Sequence, residues 1–314
     1  RSTGSLYLQQ GEVSLIINDQ LIDRATVDLG DRSEEVVTFT TSFVGEGAYT
    51  GEVRVTGDAF EADNSYFFTV DVLPKINVLT INGEASENWY DDEGHWFDLA
   101  VAGTGESPFE LLNLAPGELT EAALRQSDVL VLLNVGNLSD TQAGMIAAYV
   151  ADGGALLVAP GDRVERDRFN EQFESLAPAL LENQDLPDGS DYLVIADYDS
   201  RHPILQPLES EWSARFQGHW RLTPTEGAEV LMQFDNTEPA LVEKEFGQGN
   251  VIFFASTMDL EWNNLPLQGL FLPFVHETLR HLVQPELKQR AYSIGDSFSV
   301  NSSEDNAEVS ARDV

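Results

Sequence analysis

The 314 residues carry 54 acidic and 17 basic side chains, a formal net charge of −37, and no cysteine. The missing thiols exclude cysteine nucleophiles, disulfides, thiolate zinc sites and iron–sulfur ligation. The charge works against phosphate backbones and anionic lipid headgroups, which need clusters of Lys and Arg, so nucleic acid is not an expected partner.

Only Lys75, Lys244 and Lys288 are lysines. This balance resembles that of proteins from salt-loving organisms, because salt near 1 M shortens the Debye length to about 3 Å and screens repulsion among surface carboxylates. Disorder, the other setting for high net charge, is excluded by a 42% hydrophobic content that falls in periodic runs.

Residues 1–73 alternate with the two-residue period of half-buried strands, as at Val53-Arg54-Val55-Thr56 and from Tyr66 to Val72. Gly and Asp clusters punctuate the runs at Gly30-Asp31, Gly45-Glu46-Gly47 and Gly57-Asp58. Short strands with such turns predict a small immunoglobulin-like β-sandwich.

After Pro74 strand-like and helical patterns alternate. Strands are predicted at 76–81, 109–114, 129–133 and 155–159, with helices at 89–102, 120–126 and from Ser139 to Ala151. Ser139 and Gln142 have the spacing of a capping box, and Gly153-Gly154 closes that helix. This order predicts a parallel sheet covered by helices on both faces. Peripheral strands follow at 192–196 and 215–222, then a meander at 228–234, 240–246 and 251–255 with a turn at Gly247-Gln248-Gly249-Asn250.

A helix over 267–283 covers the sheet. It contains Gln268, His276, Glu277, Arg280 and His281, so it does not read as one of the roughly 18-residue apolar segments that span a bilayer. From Ala291 the pattern turns strand-like again and reads as the start of a further β domain, making the domains 1–73, 74–288 and 289–314. The chain opens on Arg1-Ser2-Thr3-Gly4 without an apolar leader and reads as a piece of a longer protein.

Most chemical signatures fail on spacing. His276 and His281 are five residues apart, which turns the second ring about 140° from the first, whereas a zinc helix needs four. One of these rings is therefore expected on the packed face and the other toward solvent. A calcium loop through Asp91, Glu93 and Gly94 would put Trp89 at its first ligand position. No dinucleotide or phosphate loop and no Gly-x-Ser-x-Gly elbow occurs. No metal or cofactor is expected.

A parallel sheet binds ligands at the carboxyl ends of its strands. That edge gathers Asn82, Gly83 and Glu84, then Asn134 and Gly136, then Asp162 and Arg163, with Asp259, Glu261 and Trp262 joining from the last strand. A tryptophan among carboxylates suits a sugar or peptide groove, although Trp262 also fits as packing under the last helix. Asp162 with Asp259 or Glu261 offers an acid/base pair for a hydrolase.

Three stretches resemble known families. Gly57-Asp58-Ala59-Phe60-Glu61-Ala62-Asp63-Asn64-Ser65-Tyr66-Phe67-Phe68 is similar to the closing strands of CARDB-like immunoglobulin-type domains. Tyr149-Val150-Ala151-Asp152-Gly153-Gly154-Ala155-Leu156-Leu157-Val158 resembles the class I glutamine amidotransferase-like, flavodoxin-like fold. Asp259-Leu260-Glu261-Trp262-Asn263-Asn264-Leu265-Pro266-Leu267-Gln268, leading into Phe271-Leu272-Pro273-Phe274-Val275-His276, resembles the end of that domain in BatA-like envelope proteins.

The resemblance implies an extracytoplasmic fragment of a bacterial protein anchored by membrane helices outside this sequence. Its implied partners are von Willebrand A-domain proteins and a MoxR-type ATPase. Amidotransferase catalysis does not carry over, because that family needs a cysteine after its fourth strand. The expectation is a non-catalytic binding or assembly module of the cell envelope, with a carboxylate-dependent hydrolase or a carbohydrate-binding domain as the alternative.

Overall fold

The computed structural model describes residues 8–30, 34–57, 64–72, 74–103, 107–136, 138–186, 191–208 and 212–283. The β domain expected over 289–314 lies outside them. The chain divides into two compact units, 1–75 and 76–314.

In the first unit, strands β1 (Leu8–Ile17), β2 (Gln20–Leu29), β3 (Gly47–Thr56) and β4 (Ser65–Val72) form one antiparallel sheet in the order β2-β1-β3-β4. Asn18 and Asp19 join β1 to β2 with φ of 47° and 61°. These two left-handed residues fit the primed turns whose twist matches a tight hairpin. Val13 and Val27 are the buried centre, and Val37 and Phe39, from a stretch without regular structure, pack on them. No second sheet forms among the described residues; this irregular stretch supplies part of the cover.

The second unit opens with β5 (Ile76–Asn82), a short 3-10 turn at Trp89–Asp91, α1 (Glu93–Ala102), β6 (Phe109–Leu114), α2 (Glu121–Arg125), β7 (Val129–Leu133), α3 (Asp140–Ala151) and β8 (Ala155–Ala159). The apolar runs become strands because every residue of β7 and β8 is buried, a pattern that only a sheet covered on both faces provides. Ser139 and Gln142 make the expected capping box, with Gln142 N donating to Ser139 Oγ at 3.2 Å and Ser139 N to Gln142 Oε1 at 3.0 Å.

The chain continues through α4 (Arg166–Phe173), β9 (Ala179–Asp185), β10 (Ile195–Tyr198), β11 (His219–Pro224), β12 (Glu229–Phe234), β13 (Pro239–Phe246), β14 (Gly249–Phe254) and α5 (Phe271–Val283). β9 and β11 pair as a separate antiparallel ribbon. Gly247, at φ 66°, and Gln248 close the β13–β14 hairpin.

The main sheet runs β10-β12-β13-β14-β8-β7-β5-β6. From β14 to β6 all pairs are parallel, and from β14 to β10 all are antiparallel. Numbered by their place in the parallel part, these strands follow the 2-1-3-4-5 order of doubly wound sheets. α1 packs on α5, while α3 packs on α2 and α4, giving two helical layers. Fully buried Phe253, Phe254, Leu79, Ile81 and Leu130 fill the space between, each contributing about 1.5–3 kcal/mol on burial.

Both histidines of the last helix find partners, contrary to the expectation of one in solvent. His276 Nε2 lies 2.8 Å from the Ala100 carbonyl, and His281 Nε2 lies 2.7 Å from Glu243 Oε1. Among the described residues no helix is long and apolar enough to cross a membrane.

Candidate functional site

In a 2-1-3-4-5 sheet the chain reverses direction between its first and third strands, here β5 and β7, and the turns leaving them diverge to open a crevice. Asn134 lies there, directly after β7, with φ 47° and only 1% of its surface exposed. Two glycines make room for it. A Cβ on Gly83 would come within 2.0 Å of the Asn134 carbonyl oxygen, and one on Gly161 within 2.4 Å of the Asn134 side chain.

The Asn134 amide ties three strand ends together. Its Nδ2 donates to Glu84 Oε2 at 2.8 Å and to Asp162 Oδ1 at 2.9 Å, while its Oδ1 accepts from the Arg163 backbone N–H at 3.0 Å. Arg163 Nη2 reaches Glu84 Oε1 at 2.5 Å. Asn82 braces the same corner, its Nδ2 donating to Asp92 Oδ1 at 2.7 Å and its Oδ1 accepting from Glu84 N at 3.0 Å. Asp92 in turn caps α1 through His95 N.

The loop after β14 supplies the fourth side. Asp259 is buried, and its Oδ1 accepts from Glu261 N at 3.0 Å. Carboxylate oxygens of Glu84, Asp162 and Glu261 lie within 4.8 Å of one another. Partial burial, then the charges of Asp162, Asp259, Glu84 and Asp91, push the Glu261 carboxyl up to about 7. Burial likewise raises Asp259, against the opposing hydrogen bond from Glu261 N.

Of the ten residues expected at this edge, Asn82, Glu84, Asn134, Asp162, Arg163, Asp259 and Glu261 thus meet around one corner, with Gly83 packed against Asn134 and Gly136 against Arg163. Trp262 does not serve as a stacking face: it is 3% exposed, and its ring lies where a Cβ on Gly218 would touch it at 2.7 Å. Trp262 lies in the loop after β14, where its carbonyl accepts from the backbone N–H groups of Gln217 and Gly218 at 2.7 and 3.0 Å.

Sequence reasoning missed Glu93 and the pair Trp89–Tyr90. Glu93 reads locally as a first-turn acid that suits the helix dipole. In the fold it is buried, with Oε2 accepting from Met258 N at 3.1 Å and Oε1 without a hydrogen-bond partner. Burial, followed by the charge of Asp259, raises its carboxyl well above the ordinary range. Trp89 and Tyr90 stack at 3.7 Å between ring centroids and stay 43% and 49% exposed on the loop that also bears Asp91. An aromatic pair beside acids was the available signal.

A separate cavity of about 820 Å³ lies between α2, α3 and the end of α5, lined by Leu124, Met145, Tyr149 and Leu282. It also touches Asp128 and Gly154, which precede β7 and β8, and so belongs to the opposite edge of the sheet.

The architecture and its corner define an open doubly wound α/β unit with an acidic crevice at the switch point. Residues 134–269 match the family model described as "Putative glutamine amidotransferase", so this stretch is a glutamine amidotransferase-like domain. No curated protein matches the chain. Among solved structures, the cytoplasmic protein STM3548 from Salmonella typhimurium shares 15% identity over 66% of this chain and 98% of its own, with a TM-score of 0.52. Cytoplasmic protein STM1381 from Salmonella typhimurium LT2 shares 19% over 66% and 99%, also at 0.52. A ThuA-like protein from Bacteroides uniformis shares 13% over 68% and 94%, at 0.51. These likenesses are of fold alone.

Proposed function

We propose that the chain is the extracytoplasmic part of a membrane-anchored, BatA-like bacterial envelope protein. In it a CARDB-like, immunoglobulin-type module precedes an amidotransferase-like unit that binds its ligand without transforming it. The observation that carries the non-catalytic reading lies after β8, the fourth parallel strand, where the family places its cysteine. That turn reads Gly161-Asp162-Arg163, its Asp162 carboxylate accepts from Asn134 Nδ2, and the chain has no thiol. Shared fold does not transfer the amidotransferase reaction. The envelope setting, with von Willebrand A-domain proteins and a MoxR-type ATPase as partners, is supported by the sequence resemblance.

Glutaminase, amidase and esterase assays on the purified chain are expected to show no turnover. Turnover that disappears in Asp162→Ala overturns the reading. For the setting, protease treatment of intact spheroplasts carrying the natural protein is expected to digest this segment from outside. Protection until lysis contradicts it.

A second reading is favoured by one spacing. Asp162 and Glu261 present oxygens within 4.8 Å, near the roughly 5 Å carboxyl separation of retaining glycosidases. A carboxylate-dependent hydrolase of envelope glycans would release reducing ends from such oligosaccharides and lose that activity in Glu261→Gln.

A further inference from the structure

We propose that the sheet of the first unit joins that of a second copy of this chain by antiparallel pairing of their β4 edges, giving a two-fold dimer centred on Phe68.

β4 and β2 are the two edges of that sheet, and they differ in kind. A sheet edge presents unpaired backbone groups and is ordinarily blunted by charge, proline or bulges. β2 carries Asp23, Arg24 and Asp28, and its ladder with β1 is interrupted by two register shifts. β4 reads Ser65-Tyr66-Phe67-Phe68-Thr69-Val70-Asp71-Val72, with one charged residue and no proline. It pairs with β3 along its whole length without a shift.

Tyr66 and Phe67 are 71% and 53% exposed. Successive residues of a strand point to opposite faces, so no layer laid on one face covers both rings. What the two share is the outer flank of β4, where the described residues supply no strand. A strand added on that flank shields both.

The ladder fixes which backbone groups are available. Val55 N donates to Asn64 O at 2.8 Å, and hydrogen-bonded pairs alternate along an antiparallel ladder. The backbone groups of Tyr66, Phe68 and Val70 therefore face β3, and those of Ser65, Phe67, Thr69 and Asp71 face outward. A two-fold axis through the Phe68 position, perpendicular to the sheet, joins the outward residues to one another. Ser65 then bonds Asp71 of the second copy, and Phe67 bonds its Thr69. Between them Tyr66 stands opposite Val70 and Phe68 opposite itself, aromatic and β-branched pairs of the kind that stabilise sheets. No acid stands opposite an acid. The contact consumes both β4 edges, and β2 is guarded, so assembly stops at two copies.

A single strand pair is small against the roughly 1,200 Å² of a stable interface, and each copy brings a net charge of −37. The dimer is therefore weak, and salt that screens the repulsion strengthens it.

The test is sedimentation equilibrium of the whole chain from about 10 μM to about 1 mM, in dilute buffer and in molar NaCl. A monomer–dimer equilibrium that tightens with salt is expected. Thr69→Pro removes an outward N–H and spares the ladder to β3, as edge prolines do. Phe67→Lys places a charge on the edge without touching the backbone. Each is expected to weaken association more than about 10-fold, with the melting transition retained. Ile22→Lys, at a site 41% exposed on β2, is expected to leave it unchanged. The chain has no cysteine, so Phe68→Cys reads the register. Non-hydrogen-bonded partners stand about 4.5 Å apart at Cα, within disulfide reach, and a covalent dimer is expected on oxidation of Phe68→Cys but not of Ile22→Cys. A wild type that stays monomeric at the highest concentration in molar NaCl overturns the proposal. So does association that survives both edge variants, or that Ile22→Lys abolishes equally.

Discussion

Nε2 of His281, in the last turn of α5, lies 2.7 Å from Oε1 of Glu243 within β13, and His202 Nε2 holds the other carboxylate oxygen at 3.0 Å. Ile204 N donates to His202 Nδ1 at 3.3 Å, which assigns the His202 proton to Nε2 and makes that ring a donor to Glu243. A backbone donor on Nδ1 also argues against a metal at this cluster, since a metal-bound ring directs an Nδ1–H at an acceptor.

Burial by itself raises the Glu243 carboxyl, but the two imidazoles outweigh it and hold the group down at about 2. A carboxyl lowered in the folded state contributes stability that is present above its unfolded value of 4.5 and is lost as pH falls toward about 2. The contribution is on the order of 3 kcal/mol. Urea midpoints are therefore expected to fall more steeply between pH 5 and pH 3 in the wild type than in Glu243→Gln, which starts lower and stays flatter; parallel curves refute the linkage.

At Asn134 the expected order of stability is unusual. Asn134→Ala removes the donors of two carboxylates and keeps a side chain at φ 47°, so a loss of about 2–4 kcal/mol is expected. Asn134→Gly loses the same bonds but relieves the backbone, and is expected to be about 1 kcal/mol more stable than the alanine variant. Chemical denaturation of the two variants decides, and alanine equal to or above glycine contradicts the strained-turn account.

Gly83 and Gly144 should respond to alanine with opposite signs. The Gly83 Cβ would meet a backbone oxygen at 2.0 Å, which cannot yield without moving β7, and a loss above about 3 kcal/mol is expected. Gly144 is exposed within α3, with nothing within 4 Å of its added carbon, so Gly144→Ala is expected to gain about 0.5–1 kcal/mol. Thermal melts of the pair provide the check.

With 54 acids against 17 bases, the melting temperature should rise by several degrees from dilute buffer to molar NaCl. Equal concentrations of a second monovalent salt should act alike. A flat response refutes the halophilic reading.

The parallel strands were legible because both their faces are buried, so Val129–Leu133 and Ala155–Ala159 announce themselves as unbroken apolar runs. The crevice was legible for a related reason: in a parallel sheet the residues after consecutive strands share one edge, so Asn134 and Asp162 meet whatever their distance in sequence. β9 was missed because its last residues, Glu182 to Asp185, carry no apolar side chain and pair only with β11. The last helix begins at Phe271 rather than 267 because Leu265–Leu267 forms a separate 3-10 turn. The burial of Trp262 agrees with its reading as packing, whereas that of Glu93 depends on Met258, 165 residues away, and no local pattern encodes it.

The forked donation from Asn134 Nδ2 has a mechanical corollary. One nitrogen holds two acids that follow different strands, β5 and β8, so a single side chain sets the distance across which anything entering the crevice must reach both.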